Sequence, residues 1–438
     1  MKKYIFILII ITTGTYIKAQ DNKIEYRKDV LSNGLRVIYN VDRTAPIVST
    51  VLHYEVGSKD EKVGQTGYAH FFEHLMFESA GNIKRGDIPK LINESGGWLN
   101  AHTSFDETVY KFKISANEIN LPLWIEAQRM RNLSIEDVGV STQKGVVLEE
   151  KNQRVDNQPY GIMLETMLKS LYSDGAYSWA TIGSAEDIKN AKISDFQSFY
   201  NNFYQPSNAI LVVSGNFIFQ DLQADIEKYF GWIPKKDSII RNPIKISPLS
   251  KEIRKEIIDD KAPHKAVFIG FRGPKLGSDD YYAMNLLSNV LSAGESSRLF
   301  KKLVDKEEIA VQTAMMPLNL ELDGAILFYG VAYPKSDLSD IEKSIYKEIE
   351  KIASEGISTR ELEKVKNINE MEILQSRKST IQKAMLLARF EAYYDNPGLI
   401  NSEIDNYNKV SIEDIKNVAK KYLTTKNRVV LNFYPKEK

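Results

Sequence analysis

Cysteine is absent from all 438 residues. That excludes disulfides and a lipid-modified cysteine, and it leaves histidine and carboxylates as the ligands for any zinc. Net charge is absent too. The 58 Lys and Arg balance 58 Asp and Glu, so the chain lacks the basic footprint of a nucleic-acid binder. Short basic runs such as Lys235-Lys236 and Lys301-Lys302 read as solvated surface. Long apolar runs are missing as well. The N-terminal run from Tyr4 to Ile11 falls far short of the ~20 residues that cross a bilayer. Histidine is scarce, with five in the whole chain, so where they fall carries information.

The N-terminus has the layout of a secretory signal. Lys2 and Lys3 precede the apolar run, and small and polar residues follow up to Lys18-Ala19-Gln20. This predicts a signal peptide over residues 1–19, cleaved after Ala19, and an exported protein of the bacterial periplasm or beyond. An uncleaved anchor is the competing reading. No later stretch reads as membrane-spanning. The whole sequence is 43% apolar and 26% charged, a globular composition, and too long for one ordinary core.

Two of the five histidines stand in His70-Phe71-Phe72-Glu73-His74. At about 100° per residue, His70, Glu73 and His74 share a ~100° arc of a helix. Phe71, Phe72, Leu75 and Met76 take the rest of the circumference and face a core. Histidines at i and i+4 have zinc-ligand spacing, and a Glu beside them is placed to activate water. The order His-x-x-Glu-His inverts the more familiar zinc-protease motif. The plain alternative is a half-buried helix with chance histidines.

Around the motif the chain reads as alternating strands and helices. Strands are predicted at Leu35 to Asn40, Ile47 to Tyr54, Trp98 to His102, Glu107 to Ile114 and Ala209 to Ser214. Helices are predicted at Gly67 to Glu78, Ile88 to Glu94, Leu121 to Arg131, Ser141 to Arg154, Met163 to Leu171, Phe196 to Phe203 and Phe219 to Phe230. Ile233 to Ser250, with three prolines and weak periodicity, reads as a linker. After it the order repeats. Ala45-Pro46 before a strand is echoed by Ala262-Pro263 before Ala266 to Phe271. The helix and strand of Ile193 to Ser214 are echoed by Ser411 to Leu431. The prediction is an α+β protein of two similar α/β domains, 20–235 and 236–438, each a mainly antiparallel sheet flanked by helices. Only the first carries the histidine motif.

Two histidines do not complete a catalytic zinc site, which takes three protein ligands. Glu149 and Glu150, on the downstream helix in Gly-Val-Val-Leu-Glu-Glu, are candidates, and only one of two adjacent residues faces the metal. Spacing alone does not choose between them.

At these residues the sequence resembles the pitrilysin- or insulinase-type metallopeptidases, the inverzincins. The nearest class by length is that of the mitochondrial processing peptidase subunits and their bacterial relatives. The resemblance rests on Asn33-Gly34-Leu35, Gly57-Ser58, the run Gly67 to Phe77, Gly97 to Thr103 and Gly145 to Glu150. In the second half it rests on Gly270 to Pro274 and Ser296 to Phe300. It implies that His70, His74 and Glu150 bind one zinc ion and that Glu73 is the general base. It favours Glu150 because the family's third ligand lies about this far from the second histidine, which leaves Glu149 solvated or supporting the site from behind. It implies that the strand Trp98 to Thr103 holds a peptide by backbone pairing, with Asn100 and Ala101 nearest the cut bond and His102 close by. An ordinary edge strand is the plain reading there.

Two departures stand out. The family often has Glu seven residues before the third ligand, and here that position is Gln143. Self-sufficient members carry an Arg and a Tyr, seven apart, that help bind the substrate carbonyl. The matching positions are Val304 and Val311, which donate no hydrogen bond. Arg298 is a packing residue by the resemblance. The sequence therefore points to a zinc endopeptidase for peptides or unfolded segments. A related partner subunit would supply the missing Arg and Tyr, or the chain would pair as a homodimer. The competing readings are a non-catalytic peptide-binding or scaffold subunit, and a purely structural zinc site. His53 and His264 read as surface or packing residues.

Overall fold

The computed structural model describes residues 23 to 436 apart from 174, 237 and 245; the expected signal peptide lies outside the described residues. Its strands are β1 (Arg27–Val30), β2 (Arg36–Val41), β3 (Ile47–Tyr54), β4 (Trp98–Thr103), β5 (Thr108–Ser115) and β6 (Ala209–Gly215), then β7 (Ile253–Asp259), β8 (Ala266–Arg272), β9 (Ala310–Leu318), β10 (Ala325–Ala332) and β11 (Arg428–Pro435). The first six form one sheet in the order β1-β2-β6-β3-β5-β4, and the last five form another in the order β7-β11-β8-β10-β9. β2 runs parallel to β6, and β7 runs parallel to β11. All other neighbours are antiparallel. With β1 set aside, the two sheets have the same order and the same directions. The duplication expected from the sequence is therefore present as topology.

The central strands β6 (Ala-Ile-Leu-Val-Val-Ser-Gly) and β8 (Ala-Val-Phe-Ile-Gly-Phe-Arg) are buried at every position. A strand covered on both faces reads as a continuous apolar run rather than an alternation. What covers those faces is not simply each half's own helices. The inner face of the first sheet (Val37, Leu52, Phe112, Leu211) packs on first-half helices. Its outer face (Ile38, Val51, Val109, Ile210, Val212) packs on Ala384, Leu387 and Ala388 of the second-half helix Thr380–Tyr394. In return, the second sheet's outer face (Phe268, Leu431, Phe433) packs on Met167, Leu168 and Leu171 of the first-half helix Met163–Leu171.

Polar contacts pin both exchanged helices. Lys383 Nζ lies 2.5 Å from Asp42, and Ser49 Oγ lies 2.8 Å from Thr380 Oγ1. Beyond the other helix, Tyr160 OH donates to the His264 carbonyl at 2.7 Å, and Arg272 donates to the Leu171 carbonyl at 3.1 Å. The stretch read as a linker adds another tie to the first half, through Arg241 and Asp60.

Candidate metal centre

The motif helix spans Tyr68–Leu75, shorter at its C-terminal end than the sequence pattern predicts. It is held at both ends. Gly67 starts it at φ 87, and a Cβ there would stand 2.6 Å from the Ile182 carbonyl oxygen, so this position needs glycine. The buried Glu61 carboxylate accepts from the Gly67 and Ala69 N–H groups, each at 2.8 Å, and from Trp179 Nε1 at 2.8 Å. It thereby satisfies donors that a helix N-terminus leaves open. At the other end, Tyr110 OH donates to the Phe72 carbonyl at 3.2 Å. On the core side, Phe71 stacks on Phe196 at 4.4 Å between centroids and Phe72 stacks on Phe199 at 5.4 Å.

The opposite face of the helix meets the helix Asp137–Lys151. His70 Nε2 and His74 Nε2 stand 3.4 Å apart, and Glu150 Oε2 lies 3.5 Å from the first and 3.2 Å from the second. Three donors ~2.0–2.1 Å from a tetrahedral centre are separated by about 3.3 Å. The trio therefore has the spacing of a zinc ligand set. Among the described residues it is the one group of three or more histidines and carboxylates so arranged. Burial, with His74 beside it, pushes the His70 imidazole well below its usual range, so the ring is neutral, the form that ligates metal. Its buried Nδ1 has no partner among the described residues.

Glu149 is exposed and accepts from Gln153 at 2.7 Å. Gln143 stands two turns before Glu150 and donates to Glu78 at 2.7 Å rather than to the trio. Glu73 is beside the trio, and its Oε2 accepts from Thr103 Oγ1 at 2.8 Å, which leaves Oε1 free of that bond. Thr103 ends β4, the edge strand of the first sheet.

Alternation along β4 divides the expected peptide-holding residues. Leu99 and Ala101 pack toward the inner core, on the same face as Thr103. Asn100 and His102 point to the other face. Asn100 nevertheless bends its Oδ1 to the Ala101 N–H at 2.8 Å, capping a backbone donor of the edge. His102 is engaged by Glu107 at 3.2 Å and Lys111 at 3.1 Å. It borders a cavity of about 270 Å³ that His53 and Arg389 also line, behind the sheet rather than beside Glu73. His53 is a buried strand residue 3.6 Å from Glu107. Arg298 pairs with Glu361 through two hydrogen bonds of 2.6 and 2.9 Å within the second half.

Sequence reasoning did not single out Thr103 as the holder of Glu73, nor Glu61, Trp179 or Arg154. Arg154 had a readable signal, since it stands four residues after Glu150 on a helix. Its NH1 lies 2.7 Å from Glu150 Oε1.

Comparison with known proteins agrees with the topology and the motif. Residues 36–184 match the family model described as Insulinase (Peptidase family M16), and residues 190–369 match that of the Peptidase M16 inactive domain. The chain belongs to the pitrilysin/insulinase family of peptidases. It is similar to the zinc protease PqqE of Helicobacter pylori, at 29% identity over 95% of this chain and 94% of that one. The crystal structure of a protease from Helicobacter pylori superposes with a TM-score of 0.90 at 27% identity, over 94% of this chain and 100% of that one. The periplasmic protease PqqL from Escherichia coli shares the fold, with a TM-score of 0.77 at 17% identity over 95% of this chain and 48% of that one.

Proposed function

We propose that the chain is a zinc-dependent endopeptidase for peptides or unfolded segments, and that it is the metal-bearing subunit of a two-subunit enzyme. The observation that carries this reading is the convergence of His70 Nε2, His74 Nε2 and Glu150 Oε2 beside Glu73. Those three atoms would hold zinc. Bound zinc supplies Lewis acidity, which makes water nucleophilic near neutral pH and polarises a carbonyl. Glu73 takes the proton of the attacking water on its free Oε1 and delivers it to the leaving amine. Thr103 fixes the other oxygen, so the carboxylate has one orientation for this work. The peptide lies along β4, where the Ala101 N–H exchanges the Asn100 amide for a substrate carbonyl.

The need for a partner follows from Val304 and Val311. Val304 is half-buried in the turn Phe300–Lys306, and Val311 is exposed at the start of β9. Neither offers a donor to a developing oxyanion. A fold of this size answers to about half of the Escherichia coli protease chain, which supports an enzyme built from two such units. A homodimer is the other assembly that would supply a second unit. Export to the periplasm is part of this reading. It is supported by the signal-like layout of the N-terminal sequence. Among the described residues, no helix is long and apolar enough to cross a membrane.

A non-catalytic, peptide-binding subunit is the second reading, favoured by the inactive-domain match over residues 190–369 and by the two valines. Hydrolysis of a quenched fluorescent peptide library by the mature chain, with zinc measured on the same sample, separates the two. Slow cleavage that a partner chain raises and Glu73→Gln abolishes supports the subunit enzyme. Zinc-loaded chain with no cleavage under any pairing supports the binding subunit, and brisk cleavage by the chain alone removes the partner requirement.

A further inference from the structure

Glu150 has two carboxylate oxygens, and the structure gives them different partners. Oε2 faces the two histidines, at 3.2 and 3.5 Å. Oε1 faces away and meets the Arg154 guanidinium at 2.7 Å. A carboxylate left to itself can offer a metal either oxygen or both. An arginine that holds one oxygen leaves the other as the ligand and fixes the plane of the group.

The segment that presents Arg154 is built rather than loose. The helix Asp137–Lys151 runs into the π-helical turn Asn152–Asp156. Lys151 Nζ pins that turn to Asp156 at 3.2 Å, and the Asn157 N–H returns to the Asn152 carbonyl at 2.8 Å. Gly161 closes against it so tightly that a Cβ there would stand 1.8 Å from the Val155 carbonyl oxygen. The Arg154 side chain is 76% exposed. An exposed i,i+4 ion pair adds little to a helix's stability, so a role in stability alone does not explain so constrained a mounting.

We infer that Arg154 is a positioning residue for the metal centre: it holds Glu150 so that Oε2 alone completes the set with His70 and His74. This rests on the zinc reading above. Partners of metal-ligating carboxylates typically change metal affinity by about 10- to 100-fold when removed. Arg154→Ala is therefore expected to bind zinc about 10- to 100-fold more weakly, with unfolding midpoint and circular dichroism unchanged. Arg154→Lys, which keeps the charge and loses the fork, should recover part of the loss.

The test is zinc titration of the purified chain and both variants against a chromophoric chelator, without any activity assay. An Arg154→Ala affinity within about threefold of the parent, in a folded chain, overturns the proposal and leaves the zinc reading standing. A parent chain that binds no zinc overturns both. Partial recovery in the Lys variant, with folding intact, supports a charged hold on Oε1.

Discussion

The two halves share a sheet and differ in what their equivalent helices present. In the first half, the helix between β3 and β4 sets His70 and His74 against Glu150 of Asp137–Lys151. In the second half, the helix between the equivalent strands β8 and β9 is Asp279–Ser292, and its partner is Thr359–Ser376. That pair buries Met284, Leu287 and Leu291 with Val365 and Ile373. One helix pair thus gathers two histidines and a carboxylate, and the other is core. The same scaffold tolerates both because the sheet and the surrounding aromatic or aliphatic packing carry the fold, and the site adds three polar side chains to one helix pair.

The difference is sharpest in the chemistry. Glu73→Gln is expected to lower peptide hydrolysis by roughly 100- to 10,000-fold, the range for a lost general base, while zinc content stays at the parent level. A substitution on the core helix pair of the second half, such as Leu287→Ala, should reduce stability without that selective loss of turnover. Matched kinetics and zinc measurements on the two variants check the contrast.

The exchanged helices blur the halves, and this too can be tested. Leu387 belongs to the second half by sequence and lies buried against the first sheet; Leu168 is the converse. Each Leu→Ala should cost about 2–5 kcal/mol in urea unfolding. The informative result is that Leu387→Ala loosens amide protection in β3 and β6 rather than in its own half's sheet. Protection lost mainly in β8 and β10 would mean that the halves are energetically separate.

Zinc should act on the first half first. Saturation at 100 times the dissociation constant adds about 2.7 kcal/mol. Chelation should therefore lower the unfolding midpoint of the intact chain and leave His74→Ala unchanged.

The smallest contrast is one of sign with pH. In the first half, burial pushes the Glu61 carboxyl up to about 8 against the opposing bonds from Ala69, Gly67 and Trp179. A raised folded-state value gives stability that is present below the usual 4.5 and lost as pH rises through about 8. In the second half, the hydrogen bonds from Arg298 hold Glu361 down at about 2. That contribution is present above the usual 4.5 and lost as pH falls toward about 2. Urea midpoints across pH should weaken between 5 and 8 in the parent, with that slope flattened in Glu61→Gln. The acid limb should shift in Glu361→Gln instead.

What the sequence disclosed follows from these physics. The helix periodicity of His70, Glu73 and His74 is local, so it was readable, as were the strand at Ile47–Tyr54 and the helices Met163–Leu171 and Phe219–Phe230, whose ends match the predicted ones. The choice between Glu149 and Glu150 was left to resemblance, because helical rotation relative to a distant helix is a tertiary fact; the structure places Glu149 in solvent. The helix exchange was invisible for a similar reason. An apolar stripe on Thr380–Tyr394 says that a face is buried and not which sheet buries it. The edge strand β1, four residues with little burial, carries too weak a pattern to read. His102 looked available to substrate because it lies in the right strand. The pleat turns it to the far side, where Glu107 and Lys111 take it up.

The most direct test of the two-halves account is metal stoichiometry, by elemental analysis of the purified mature chain, His74→Ala and Glu73→Gln after zinc loading and desalting. The account predicts one zinc per chain in the parent and in Glu73→Gln, and none in His74→Ala. Zinc retained in His74→Ala, two ions per chain, or none in the parent would contradict it.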